Sequence, residues 1–287
     1  TSIDTPDADD FQTGTDSPVA PFLGKPGNFV ILLYHNDTNG SLPASTVTLD
    51  NAKVFEYEAA TVDDFNDNKV TDWKIFDFGS GNGFLSEEEG QLTIGMRQPS
   101  GQPFFVAATY EPKTFTIADG TTVEFSVDLV TSNQPDSFAI LSFIPKENAV
   151  STLSGYSFAK DINDLLFAKG LSKYFSETTE GEWVDREENI RLVLSMTGSG
   201  NSVEVTTKVL DLENNQTVLF KETVTDTPEA EDFSTGNDSP AGSFIDKPGN
   251  FVLLLYHNDG NGSLPASNVI LDNAYASVSG AQGHHQP

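Results

Sequence analysis

Apolar and polar residues alternate with a period of two in several stretches of this chain. In 121–130, Val123, Phe125, Val127 and Leu129 fall on one side, with Glu124, Ser126 and Asp128 on the other. In 202–210, Val203, Val205 and Val209 alternate with Glu204, Thr206 and Lys208, and Ile190, Leu192, Leu194 and Met196 form a third stripe. Successive strand residues point to opposite faces, so each stripe predicts a strand with one buried face. The stretches 138–144 and 251–256 are apolar at both parities, which predicts central strands covered on both sides. Turn residues separate these runs at Ala118-Asp119-Gly120, Gly198-Ser199-Gly200-Asn201, Glu213-Asn214-Asn215 and Gly260-Asn261-Gly262. Residues 160–175 have a weakly helical spacing through Ile162, Leu165, Leu166 and Ala168. They read better as a strand after an Asn163-Asp164 turn. Many short strands with regular turns predict an all-β antiparallel β-sandwich. Its expected core includes Val123, Phe125, Val127, Ile140, Leu192, Leu194, Val205, Leu253 and Leu255.

The same strand rhythm occurs twice. Residues 10–52 align without a gap on 232–274, identical at 32 of 43 positions, so the repeat period of 222 is the size of a whole domain. The chain therefore divides into the end of one module (1–58), a complete module (59–280) and a disordered tail (281–287). Such duplication suggests a slice of a tandem array, and arrays of large modules adhere, span or scaffold.

Composition narrows the class. A net charge of −28 repels nucleic acid and anionic membrane surfaces, and no apolar run is long enough for membrane insertion. The chain contains no cysteine, which excludes disulfides, thiolate catalysis and Cys-ligated zinc. These features suit an extracellular or cell-surface protein.

The complete module resembles the concanavalin A-like lectin/glucanase jelly roll, in the broad laminin-G-like sense. The resemblance rests on the opening Asp64-Phe65-Asn66-Asp67 with Trp73, on Glu182-Trp183 leading into 190–196, and on the closing Val269-Ile270-Leu271-Asp272-Asn273. It implies that the first and last strands pair, placing 60–95 beside 266–278.

Candidate chemistry is sparse. The loop with Asp259 and Asn261, and its copy with Asp37 and Asn39, concentrates hard oxygen donors of the kind Ca²⁺ takes. The same residues also suit a tight turn. His257 and His35 follow apolar strands and lack ligand partners at metal-site spacing. Glycosidases of the resembled laminarinase type carry Glu-x-Asp-x-(x-)Glu on one strand. The acidic stretch 180–188 does not match that pattern, so no catalytic residue is expected there. The three arginines fit no lyase motif, and no Gly-x-Ser-x-Gly elbow exists. Sugar stacking would use exposed aromatics, for which Trp73, Tyr110, Tyr156 and Tyr174 are the candidates. The resulting expectation is a non-enzymatic adhesion module with a glycan or cell-surface polymer as partner. A filament subunit self-associating through residues 1–58 is the alternative, and a glycan-active enzyme the third.

Overall fold

A computed structural model describes residues 55–78, 81–97, 104–132, 137–148, 154–161, 164–169, 174–178, 181, 189–227, 243–257 and 267–281. The chain divides into two compact units, 1–54 and 55–287, and every described residue belongs to the second. Among the described residues all the regular elements are strands, and no helix is long and apolar enough to cross a membrane.

The fold opens with β1 (Phe55–Asp63), β2 (Trp73–Phe78), β3 (Gly83–Glu88), β4 (Gln91–Met96), β5 (Phe104–Tyr110) and β6 (Phe115–Thr116). Next come β7 (Thr121–Ser132), β8 (Ser137–Pro145), β9 (Tyr156–Lys160), β10 (Leu165–Lys169) and β11 (Tyr174–Thr178). It closes with β12 (Ile190–Ser199), β13 (Ser202–Asp211), β14 (Thr217–Asp226), β15 (Pro248–His257) and β16 (Asn268–Ala281).

Two eight-stranded sheets face each other. The first runs β14-β13-β12-β7-β16-β4-β3, with β1 also on β16; the second runs β11-β10-β9-β8-β15-β5-β2, with β6 on β15. All the ladders are antiparallel, as a jelly-roll sandwich requires. β16 lies between β7 on one edge and β4 then β1 on the other. β15 lies between β8 and β5. The duplicated sequence 232–274 thus supplies a central strand to each sheet, which explains its high apolar content.

The expected pairing of first and last strands holds for β1 and β4 against β16. β2 departs from it by joining the second sheet, where Trp73 pairs with Tyr110. The segment 160–175 is strand at β10, as expected. Phe55–Glu58, which the repeat alignment groups with the preceding copy, belong to β1 of the sandwich. The tail 282–287 lies outside the described residues.

One continuous core fills the space between the sheets. Val123, Phe125, Val127, Leu192, Leu194, Val205, Leu253 and Leu255 all lie in it. Phe125 stacks on Phe251 at 4.6 Å and meets Phe115 edge-on at 4.9 Å, geometries that add to area burial. Ile140 is buried but belongs to a second cluster with Phe105, Phe138, Leu166 and Leu254. Its parity on β8 is opposite to that of Leu141 and Phe143, so it faces the outer side of the second sheet. The Pro-Gly-Asn-Phe sequence shared by both copies has a packing reason here. A Cβ on Gly249 would sit 2.5 Å from the Phe143 ring, so only glycine lets β15 approach β8 at that point.

Candidate functional site

The outer face of the first sheet carries the outward residues of β7, β12, β13 and β16. On β7 these are Glu124, Ser126 and Asp128, the polar half of the alternating stripe. β12 presents Arg191 across from Asp128.

β16 is irregular here, and the irregularity builds the site. Asp272 pairs with Asp128, but the next paired residue is Tyr275, opposite Ser126. This bulge holds Asn273 in a left-handed conformation (φ 47°), which asparagine tolerates better than most residues. The bulge reverses the strand's parity. Val269 and Leu271 face the core before it, and Ala274 and Ala276 after it, so Tyr275 and Ser277 point outward.

The polar groups then lock together. Arg191 donates to Asp128 through Nε at 2.5 Å and one terminal nitrogen at 2.9 Å, a two-pronged charge-assisted pair. Asn273 Nδ2 donates to the same carboxylate at 3.1 Å. The guanidinium lies 5.1 Å from the centre of the Tyr275 ring, a cation–π contact. Its hydrogen bonds to Asp128 hold the Arg191 pKa above its ordinary value. Burial pushes the Asp272 carboxyl up, and the charges of Asp128 and Asp64 push the same way. Beside this network lies an open cavity of about 290 Å³, lined by Glu124, Ser126, Arg191, Gln216, Tyr275 and Ser277 among others. It offers an aromatic edge, two charged groups, two hydroxyls and an amide, the mixture that a polyhydroxylated ligand requires.

The aromatic candidates fare differently. Trp73 is 4 % exposed, packed among Phe65, Tyr110 and Phe251, and its Nε1 donates to Asp63 at 2.7 Å. Tyr156 is fully buried between the sheets, with its hydroxyl on Asp226 at 2.5 Å. Neither ring has a free face, so neither is a stacking platform. Tyr110 is half-buried against the core, and its Asn250-bonded carbonyl ties it to β15. Burial raises its phenol pKa, with Asp72 and Asp63 adding to the shift. Tyr174 opens β11 and lies level with Ala168. Asp259, Asn261, Asp37, Asn39 and the acidic stretch 182–188 lie outside the described residues. Among the described residues no three His, Cys, Asp or Glu side chains form a metal-holding group.

Reasoning from sequence missed Tyr275, Arg191 and Gln216 as neighbours. The available signal was the broken apolar period in Val269-Ile270-Leu271-Asp272-Asn273-Ala274-Tyr275-Ala276, where Leu271 and Ala274 are three apart instead of two.

This architecture is the concanavalin A-like jelly roll. An endo-1,3-beta-glucanase from Streptomyces sioyaensis superposes with a TM-score of 0.51 at 10% identity, over 83% of this chain and 100% of that one. Arcelin-5, a lectin-like defense protein from Phaseolus vulgaris, gives 0.46 at 12% identity, over 79% and 99%. No family model matches the chain, and no curated protein matches it significantly in sequence. The expectation that the chain is not an enzyme is corrected by the first of these structures. A glucanase shares the scaffold, so a mismatch in the 180–188 stretch does not argue against catalysis.

Proposed function

We propose that the sandwich is a glycan-binding module of an extracellular or cell-surface adhesion protein, and that its ligand docks at the cavity beside Arg191 and Tyr275. The carrying observation is the cavity itself, where one aromatic ring adjoins Glu124, Ser126, Gln216 and Ser277. A pyranose has an apolar face for the ring and hydroxyls for the polar rim. The acidic charge and the lack of cysteine support the extracellular setting. Titration calorimetry with soluble β-1,3-glucan and a panel of other oligosaccharides tests the reading. Tyr275→Ala should weaken binding at least tenfold, whereas Tyr256→Ala on the other sheet should not. Absence of heat with every glycan at millimolar concentration rejects it.

A second reading is glycan hydrolysis at the same face. Glu124 and Asp128 flank Ser126 on one outward face of β7, giving Glu-x-Ser-x-Asp where the laminarinase type has Glu-x-Asp-x-Glu. Asp128 is held in the Arg191 pair, which leaves Glu124 as the freer carboxylate. Release of reducing ends from β-1,3-glucan, abolished by Glu124→Gln, would favour this reading over binding alone.

Two further expectations belong to the same proposal. Calcium at the Asp259 loop should raise the melting temperature by mass action, a shift that Asp259→Ala removes; identical melting with calcium and with chelator rejects it. Self-association through residues 1–58 meets a structural constraint, because both slots that a second copy of 232–274 would enter are filled by β15 and β16. Exchange therefore requires a module whose own central strands have been displaced. Light scattering on the whole chain and on 59–287 separates the outcomes, and equal monomeric masses reject the association.

A further inference from the structure

A buried Lys169–Asp226 pair joins the two sheets. Lys169 ends β10 in the second sheet, and Asp226 ends β14 at the edge of the first. The ammonium nitrogen lies 2.8 Å from each carboxylate oxygen, so it is equidistant from the two. Both side chains are shut off from water, at 2 % and 1 % exposure.

The surroundings are aromatic. Tyr156, directly across from Lys169 on β9, is fully buried, and Phe244 closes the other side with its ring 5.2 Å from the Lys169 nitrogen. The Tyr156 hydroxyl accepts the Phe244 N–H at 3.3 Å and donates to Asp226 at 2.5 Å. Its hydrogen is thereby aimed at one carboxylate oxygen. Its pKa is raised well above the ordinary value, first by burial and then by Asp226, so it remains a donor.

We propose that Lys169 and Asp226 condense into an amide cross-link between the sheets. In a dry site an ion pair carries a heavy desolvation cost, whereas the amide is neutral. The step balances without any co-reactant. The ammonium first passes one proton along its hydrogen bond to the carboxylate, giving amine and carboxylic acid. The amine lone pair attacks Asp226 Cγ, forming the C–N bond. Charge developing on the remaining oxygen is held by the Tyr156 O–H, as in an oxyanion hole. The amine's second proton goes to the leaving hydroxyl, the C–O bond breaks, and one water departs. Fixed apposition of the two groups supplies the rate that free amines and acids lack in solution.

Cysteine-free chains have no disulfide, and this bond would do the same work, closing the segment between β10 and β14 covalently. The proposal is independent of the glycan reading, since it concerns the interior.

The test is the intact mass of the full chain under denaturing conditions. The expected result is a deficit of about 18 Da, one water, with proteolysis yielding a branched peptide that joins Lys169 to Asp226. Asp226→Asn should change the deficit to about 17 Da, because ammonia then leaves in place of water. Tyr156→Phe keeps the pair but removes the oxyanion donor, and should slow the appearance of the deficit at least tenfold in freshly synthesised protein. A wild-type mass equal to that of the sequence overturns the proposal without any variant having to fold. A deficit that survives Lys169→Arg also overturns it, since the water would then have left another site.

Discussion

The two outer faces of this sandwich differ sharply, although both belong to sheets of eight strands. On the second sheet, Phe105, Phe138, Ile140, Leu166, Val252 and Leu254 form a covered apolar cluster. On the first sheet, the corresponding positions carry Glu124, Ser126, Asp128, Arg191, Tyr275 and Ser277 around a cavity. Both sheets turn apolar residues inward, so the core does not dictate the difference. A sandwich needs only its inner faces to be apolar, and each outer face is then free to be either a packing surface or a recognition surface. Here one of each is built.

The largest effects should come from positions that test whether the apolar outer face is as dry as the core. Leu253→Ala removes an inward side chain and should cost about 2–5 kcal/mol through the cavity left behind. Leu254→Ala, its neighbour of opposite parity, should fall in the same range because that side chain is also fully buried. Ser126→Ala on the first sheet's outer face should stay within about 1 kcal/mol. Urea unfolding of the three variants makes the comparison. A Leu254→Ala cost as small as that of Ser126→Ala would mean the second sheet's outer face is not held dry in solution.

This contrast also explains what could be read from the sequence. Stripes such as Val123-Phe125-Val127 and Leu192-Leu194-Met196 named their own inward faces, because alternation is a local property. The double apolar parity of 138–144 and 251–256 announced central strands covered on both sides, but not what each side faced; Ile140 is buried as expected, in the second of two clusters. Two of the aromatic candidates are unsuited to stacking for a related reason. Trp73 and Tyr156 sit in short strands where parity is hard to fix from a few residues, and both point inward. The polar site was hidden because it depends on the Asn273 bulge, one residue that reverses every side chain after it. Its members come from strands 63 to 145 residues apart in sequence, measured by the Arg191–Asp128 and Asn273–Asp128 bonds. No local spacing records such a meeting.

Two polar contacts should come next in size, and they separate structure from recognition. Trp73→Phe keeps the packing but leaves Asp63 Oδ2 without its 2.7 Å donor, at a cost of about 1–3 kcal/mol. It should leave glycan binding unchanged, since Trp73 does not line the cavity beside Arg191 and Tyr275. Arg191→Ala leaves Asp128 beside Asp272 without its cation. The pair is partly exposed, so the loss should be about 1–2 kcal/mol, below the cost of breaking a fully buried pair. Restoring Arg191→Ala with Asp128→Asn should recover much of that stability, yet binding should remain impaired. Recovery of both would place the Arg191 pair in the structure only, outside the recognition surface.

The smallest effect is a pH dependence that sets the hairpin end of the first sheet against its central face. Glu87 on β3 is 6 % exposed, and neither carboxylate oxygen has a partner in hydrogen-bonding geometry, although the Asn68 and Lys69 amides point toward it. Burial raises its pKa, with Asp63 adding repulsion, and burial raises that of Asp63 as well. A carboxyl whose folded pKa exceeds the unfolded one binds its proton more tightly in the native state. Stability therefore falls as pH rises from the unfolded value, 4.5 for Glu87 and 3.8 for Asp63, through the higher folded values. Glu87→Gln removes the ionising group while keeping its shape, so the variant should melt higher than the parent at pH 7. Below the unfolded pKa of glutamate, where the parent's Glu87 is also protonated, the two melting curves should converge. Asp272→Asn makes the matching test on the polar face, where burial also raises the carboxyl pKa but Arg191 opposes it. The Asn273 N–H, 2.7 Å from Asp272 Oδ1, opposes the rise more than Arg191 does, so the gain at pH 7 should be smaller than that of Glu87→Gln, and a larger one would mean that these two groups do little for Asp272.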